Sequence, residues 1–308
     1  MFFFPPENII KLFIAGIYNR LKSRILRLSR LTRLNLKHKN KIDSGNKKDI
    51  FMIHHLACTG GSLISKIIRD SFNCVLVSEI NPGYAFGSHI FSPYDLLSQF
   101  AYASNKSIRT IKKAIENYNL SIDFCMENID LDQFLVIRDW SEGDFYESKI
   151  LPHICSSKDW IDSHKYNIHS IITVRHPIES FLSKAKYNWE EIKNENALEV
   201  YCRKYIDFLN HYQDSEIFYY EKICSNYESE IKKISKNWGK KFNKIKSLSN
   251  KKISGDSGRS SLSISLRPSK KITKEIKHLI NCSDSYFELC SKLGYKADLD
   301  TNSLDYFI

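Results

Sequence analysis

The sequence predicts an α/β fold of three layers, with helices on both faces of a central, mainly parallel sheet and helical insertions between its strands. Three observations carry that expectation. Beyond residue 49, short apolar runs alternate with segments of helical periodicity, the pattern of strand, crossover and next parallel strand. The first run, "FMIHH", passes through Thr59-Gly60-Gly61-Ser62 directly into an amphipathic segment. A later run, "IITV", ends in Arg175 and is followed by Pro177, a residue suited to the first position of a helix.

The chain has 308 residues, 42% of them apolar, enough for a sizeable core. Its net charge of +11 is unevenly placed. Residues 1–48 hold twelve Lys or Arg and two acids, which leaves 34 basic and 33 acidic residues in the remainder. The excess therefore belongs to an N-terminal arm, and a nucleic-acid partner is not expected of the main body. In the arm, Ile10, Phe13, Ile14, Ile17, Leu21, Ile25, Leu28 and Leu31 recur at helical spacing, with Arg20, Arg24, Arg27, Arg30 and Arg33 between them. This N-terminal basic amphipathic helix suits peripheral contact of residues 1–37 with an anionic membrane, anchored by Phe2, Phe3 and Phe4. It equally suits packing on the main domain or on a second copy in a homo-oligomer, with the arginines solvated. Lys11 interrupts the longest apolar stretch and no small-residue cleavage site follows it, so the expected location is cytoplasmic, membrane-associated if the arm binds lipid. The eight cysteines include no CxxC pair, which argues against a zinc ribbon or a thioredoxin-type centre and for reduced thiols.

After the arm and linker of residues 1–48, residues 49–297 form the expected main domain and 298–308 a C-terminal tail. Strands are expected at 50–55, 74–78, 133–138, 169–174 and 215–219, and helices at 62–72, 94–118 and 180–212, the last two longer than plain connections require. The Lys-, Ser- and Gly-rich stretch 232–265 reads as a late helix followed by an exposed, mobile loop.

The first strand-to-helix turn is where open α/β sheets hold phosphates. Gly60 and Gly61 let the backbone approach an anion, Ser62 is a candidate helix cap and hydroxyl donor, and the helix N-terminus adds unpaired amides and the positive end of its dipole. A nucleoside triphosphate site would place a lysine directly after the glycines; Lys66 falls one helical turn too late, which disfavours a kinase. At the second junction, Arg175 can fork onto a phosphate and Ser183, eight residues on, can donate to the same group. The structural alternatives are an Arg175–Glu179 ion pair and an ordinary helix hydroxyl. A zinc site of His54, His55 and Cys58 is disfavoured because adjacent strand residues face opposite ways.

The two elements "CTGGSL" and "VRHPIESFLS", in this order and separation, resemble the sulfotransferase family that uses 3′-phosphoadenosine 5′-phosphosulfate (PAPS). The resemblance spans roughly residues 50–295. It implies a P-loop NTPase-like core, with Cys58, Thr59, Gly60, Gly61, Ser62 and Leu63 as the 5′-phosphosulfate loop and Arg175 and Ser183 on the 3′-phosphate. "FYYEKI" resembles the family's late strand and Tyr-Glu step, and "SGDSGRSS" a late loop that helps hold the 3′-phosphate; Arg259 and Arg267 beside it are expected either to fold onto that phosphate when the donor binds or to remain solvated loop charges. PAPS would be the co-substrate and no metal is required. A hydroxyl-bearing glycan or glycolipid is the acceptor that resemblance to bacterial members implies.

The chain departs from the family at Cys58, where relatives carry a cation for the leaving oxygen. A neutral thiol cannot replace it, so His54 or His55, one of which must point toward the ligand edge of the sheet, is a candidate donor in its place, with His55 the first choice. Glu79, at the carboxyl end of the second strand, is the first candidate base for the acceptor hydroxyl, and Asp139, just after the third, is the second; Arg138 stands ready to pair with Asp139 or to hold an acidic acceptor. The expected function is sulfuryl transfer from PAPS to a hydroxyl. The alternatives are a catalytically silent nucleotide-binding or scaffold protein and, less favoured, a nucleotide or small-molecule kinase.

Overall fold

β-Branched and aromatic residues dominate five short runs, and all five become strands: β1 (Lys48–His55), β2 (Cys74–Ile80), β3 (Phe134–Trp140), β4 (Tyr166–Val174) and β5 (Glu216–Tyr219). The structure, a computed structural model, describes residues 47–80, 108–142, 145, 156–186, 194–250, 263–267, 271–298 and 306–307. Residues 1–46 of the expected arm and linker (1–48), and Arg259, lie outside the described residues. Every strand pair is parallel, in the order β2-β3-β1-β4-β5. The chain steps outward from β1 to β2, returns to β3, then crosses β1 to β4, so the turn after β1 lies at the centre of the sheet where connections diverge to either side. Ligands of open α/β sheets bind at such a point.

Helices cover both faces, as a sheet buried on both sides requires. On one face α1 (Gly61–Ser71) packs Leu63, Ile64, Ile67 and Ile68 against Phe51, Ile53 and Val136. The same cluster takes Ile231, Ile234 and Trp238 from the later helix Tyr227–Trp238. On the other face α2 (Ile108–Asn128) lays Ala114, Tyr118, Ile122 and Met126 on Ile50, Met52, Leu135 and Ile137. Beside it, α3 (Pro177–Lys186) and α4 (Ala197–His211) cover Ile172 and Val174. After β5 come α5 (Tyr220–Ser225), α6 (the Tyr227–Trp238 helix), α7 (Lys274–Asn281) and α8 (Asp284–Leu293). Full burial of each such apolar side chain contributes about 1.5–3 kcal/mol relative to exposure.

Two helix expectations are corrected. The helix expected to end at 118 continues to Asn128, because the four-residue spacing of its buried side chains persists to Met126; residues 94–107 lie outside the described residues. The stretch expected as one helix over 180–212 is two. Asn194 accepts the backbone N–H of Asn196 at 3.0 Å, a local turn that competes with helix, and Asn196 then caps α4. Near the C-terminus, Tyr306 is buried beside His176 and Phe307 forms a bridge with Tyr295, so these two residues pack on the domain. Among the described residues no helix is long and apolar enough to cross a membrane.

Candidate functional site

Strand β1 delivers its last residue, His55, to the floor of the first turn. Above it the chain reverses: Leu56 O accepts the Thr59 amide at 3.3 Å and the Thr59 hydroxyl at 2.8 Å. Cys58 adopts a left-handed φ of 66° and Gly60 one of 104°. Gly60 O accepts the amides of Leu63 and Ile64 at 3.0 and 3.1 Å, which makes Gly60 the cap of α1. This corrects the expectation for Ser62: it lies inside the helix, and its hydroxyl accepts from Arg138 Nη1 at 3.0 Å.

Both glycines are required by close neighbours. A Cβ on Gly61 would stand 2.4 Å from His55 Cγ, and one on Gly60 would stand 2.8 Å from Tyr220 Cδ2. Their amides belong to the first helical turn, which has no intrahelical acceptor. The Gly60 and Gly61 amides therefore stand at the positive end of α1 with no side chain of their own over them.

His55 does not supply the missing cation. Its Nδ1–H donates to Leu56 O at 3.0 Å, which fixes the tautomer and leaves a lone pair, not a proton, on Nε2. Burial, then the charge of Arg138, pushes its pKa down to about 3, so the ring is neutral. Nε2 is buried with no partner among the described residues. His54 faces the other way, bonded to Asp139 Oδ2 and Ser170 Oγ at 3.0 Å each and stacked on Tyr212 with ring centroids 4.1 Å apart. Burial lowers its pKa against the opposing pull of Asp139.

The two candidate bases part company on β3. Arg138 pairs with Glu79, not Asp139, because consecutive strand residues face opposite sides of the sheet. Arg138 is fully buried, and among the described residues it donates from Nε to Ser78 Oγ at 2.7 Å, from Nη1 to Ser62 Oγ, and from Nη2 to the Glu79 carboxylate. Glu79 meets it because β2 bulges there, with a register shift between Ser78 and Ile80 and a φ of 60° at Glu79. The extra residue turns the carboxylate onto the α1 face. Asp139 lies sealed on the opposite face, where Oδ2 accepts from His54, from Ser141 at 2.8 Å and from Tyr212 at 3.4 Å.

At the second junction Arg175 and Ser183 are brought together as expected, with Nη1 to Ser183 Oγ at 3.1 Å. The ion pair with Glu179 forms as well, at 3.0 Å from Nη2. Arg175 Nε is buried without a partner among the described residues. The backbone is fixed by Tyr205 OH, which takes the Arg175 amide at 3.0 Å, and by Glu221, which takes the His176 amide at 3.0 Å. Glu221 itself has a raised pKa through burial, partly offset by its hydrogen bond from Tyr295. The guanidinium carbon of Arg175 stands 4.7 Å above the ring of Tyr220, the residue whose edge meets Gly60. Arg267 is half-buried.

Two charged side chains of the site escaped sequence reasoning. Glu142, just beyond β3, accepts the Ala57 amide at 2.8 Å on one oxygen and the Lys184 ammonium at 2.5 Å on the other. Lys184 is almost wholly buried and also stands 5.2 Å over the ring of Tyr201. The available signal was the position of Lys184 next to Ser183; nothing in the sequence ties it to residue 57. Among the described residues no group of three His, Cys, Asp or Glu is placed to hold a metal ion.

No family model matches the sequence, and neither does any curated protein. Solved structures that are similar include the sulfotransferase domain from the Synechococcus PCC 7002 olefin synthase, 14% identical over 66% of this chain and 77% of that one, with a TM-score of 0.39. Another is the sulfotransferase domain from the curacin biosynthetic pathway, 12% identical over 82% of this chain and 99% of that one, with a TM-score of 0.47. The α/β assignment rests on the sheet order and register described above.

Proposed function

We propose that this chain transfers a sulfuryl group from PAPS to a hydroxyl. One observation supports the reading: the ring of Tyr220 stands against Gly60 at the first junction and under Arg175 at the second, so one side chain adjoins both proposed anion loci. A donor phosphorylated at both ends of a nucleoside fits this arrangement; a nucleoside triphosphate, charged at one end, does not use both. The amides of Gly60 and Gly61 hold the 5′ end, and Arg175 with Ser183 holds the 3′-phosphate, where the unpartnered Arg175 Nε offers a further donor. Transfer is in line and loose, so the protein contributes positioning and electrostatic stabilisation. Glu79 is the proposed base, since Asp139 is sealed behind the sheet. The proposed acceptor is the hydroxyl of a carbohydrate or glycolipid, on the strength of the sequence resemblance.

A second reading, a silent donor-binding protein, is favoured by the thiol at position 58 and the neutral ring of His55. Titration calorimetry with 3′-phosphoadenosine 5′-phosphate (PAP) tests what the two readings share. The native chain binds PAP and not magnesium-ATP, and Arg175→Lys, which retains the charge but loses the fork, weakens PAP binding by about 10- to 100-fold. Absence of PAP binding by the native chain defeats both readings, and equal binding by Arg175→Lys defeats the 3′-phosphate assignment.

A further inference from the structure

Helix α3 stands between the two anion loci and addresses both. Ser183 and Lys184 are consecutive and so lie about 100° apart around the helix axis. Ser183 faces Arg175 at the second junction, while Lys184 faces the first. The link is short: the Lys184 ammonium is bound by Glu142 Oε1, and Glu142 Oε2 is bound to the amide of Ala57, the residue before Cys58. One carboxylate thus spans the gap between a buried cation and the backbone of the turn. Tyr201 supports the lysine from the side, and its hydroxyl is tied to Ser180 Oγ at 2.6 Å, within α3. An ammonium on a flexible stem can exchange one oxyanion for another without moving its helix.

We infer that Lys184 is the catalytic cation of the first anion locus, doing from α3 the work that Cys58 cannot do from the turn, with Glu142 as its positioning residue. This rests on the sulfuryl-transfer reading. In the transfer, the bond between sulfur and the bridging phosphate oxygen breaks with its electron pair staying on that oxygen. The acceptor oxygen bonds to sulfur and its proton passes to the base or to solvent. Negative charge gathers on the departing 5′-phosphate, beside the backbone of residues 57–61, and the Lys184 ammonium leaves Glu142 to meet it. Glu142 holds the lysine at the turn until the donor arrives and retains the Ala57 amide afterwards.

The test compares three proteins with the native chain. Removing Lys184 alone strands the Glu142 charge and risks the fold, so the first variant is Lys184→Met/Glu142→Gln, which removes both charges together. The second is Glu142→Gln, and the third adds Cys58→Lys to the double substitution. Two quantities are measured: PAP affinity by calorimetry, and release of PAP and sulfate from PAPS with water as acceptor, which needs no identified acceptor. The double variant is expected to melt near the native temperature, bind PAP about tenfold more weakly and turn over PAPS about 10²-fold more slowly. Glu142→Gln loses less of both, because the cation remains. Cys58→Lys restores both in the double background. A merely structural pair predicts the reverse order, with Glu142→Gln the most damaged, the double variant like the native chain and no rescue; that result overturns the inference. A native chain that binds PAP but releases no sulfate also overturns it and leaves the silent-binding reading. A native chain that does not bind PAP defeats the reading beneath it.

Discussion

Gly61 and Gly60 are fixed by what lies against them, and this separates them from Gly239 and Gly294. Gly239, at φ 61°, has nothing within 4 Å of a Cβ position, so Gly239→Ala costs only backbone strain, about 1–2 kcal/mol. In Gly61→Ala the new methyl meets the His55 ring in a packed core; we expect a cost of about 1–3 kcal/mol and a loss of PAP affinity of at least tenfold. Urea unfolding and calorimetry on both variants check this, and equal PAP binding by Gly61→Ala would show that the turn relaxes at no cost to the site. The Arg138–Glu79 pair makes a second residue-scale prediction. Glu79→Ala leaves a fully buried guanidinium without its counter-ion and is expected to destabilise by about 3–5 kcal/mol, whereas Arg138→Met/Glu79→Met costs less than the single change. A double variant no more stable than Glu79→Ala, by urea unfolding, would refute that account. At this scale the sequence displayed the glycines and Arg175, because each sits at a strand-to-helix boundary recognisable from pattern alone, and Ser183, because it lies two helical turns beyond one of them. It concealed Glu142 and Lys184, which meet across a separation of 42 residues that no local pattern marks. It concealed the Glu79–Arg138 pair too, since period-two alternation sends Glu79 the wrong way unless the bulge is known.

Elements were legible where burial is continuous. All five strands lie within a few residues of expectation because a parallel sheet covered on both faces reads as unbroken apolar runs. Helix ends were less legible, since the break before α4 depends on the turn made by Asn194 with the Asn196 amide rather than on any change in apolar period. Docking of α8 onto α4 has a similarly local cause. Glu199, in the first turn of α4, accepts from Ser283 Oγ at 3.0 Å, Ser285 N at 3.0 Å and Ser285 Oγ at 2.8 Å, placing a carboxylate at the N-terminus of α8. Burial opposes ionisation there, but these bonds and Arg203 win and hold the Glu199 pKa at about 2. A carboxylate with a depressed folded-state pKa contributes stability that is present above about pH 4.5 and is lost as pH falls toward 2. Glu199→Gln is therefore expected to cost about 1–3 kcal/mol at pH 7 and to flatten the stability profile between pH 4.5 and 2. Denaturant unfolding across that range checks it, and an unchanged slope would mean that the serines hold the glutamine as well as the carboxylate.

Across the unit of residues 47–308 the buried imidazoles set the response to acid. His55 beneath the first turn, His176 between β4 and α3, and His54 on the opposite face are all neutral in the folded chain, each with its pKa lowered by burial, His55 to about 3 and His176 to about 4. His176 is further engaged through Nε2–H to Lys296 O at 2.9 Å, which ties the second junction to the C-terminal segment. Unfolding returns each ring to its ordinary value near 6.5, so below that pH the unfolded chain binds protons that the folded chain refuses. Stability should therefore be fully present above about pH 6.5 and fall as pH drops from there toward 4, by up to about 1.4 kcal/mol per pH unit for each histidine. The fall begins two units above the range in which Glu199 acts, so the two causes can be separated in one experiment. Two of the three rings border the anion loci, and PAP bound to the folded chain should shift the whole curve to greater stability without moving the pH at which the fall begins. Urea unfolding from pH 8 to 4, with and without PAP, measures this. In His176→Gln, which retains a donor for Lys296 O, the slope between pH 6.5 and 4 should become shallower. A profile flat down to pH 5 would mean that these rings protonate in place, and the neutral state assigned to His55 beneath the turn would fall with it.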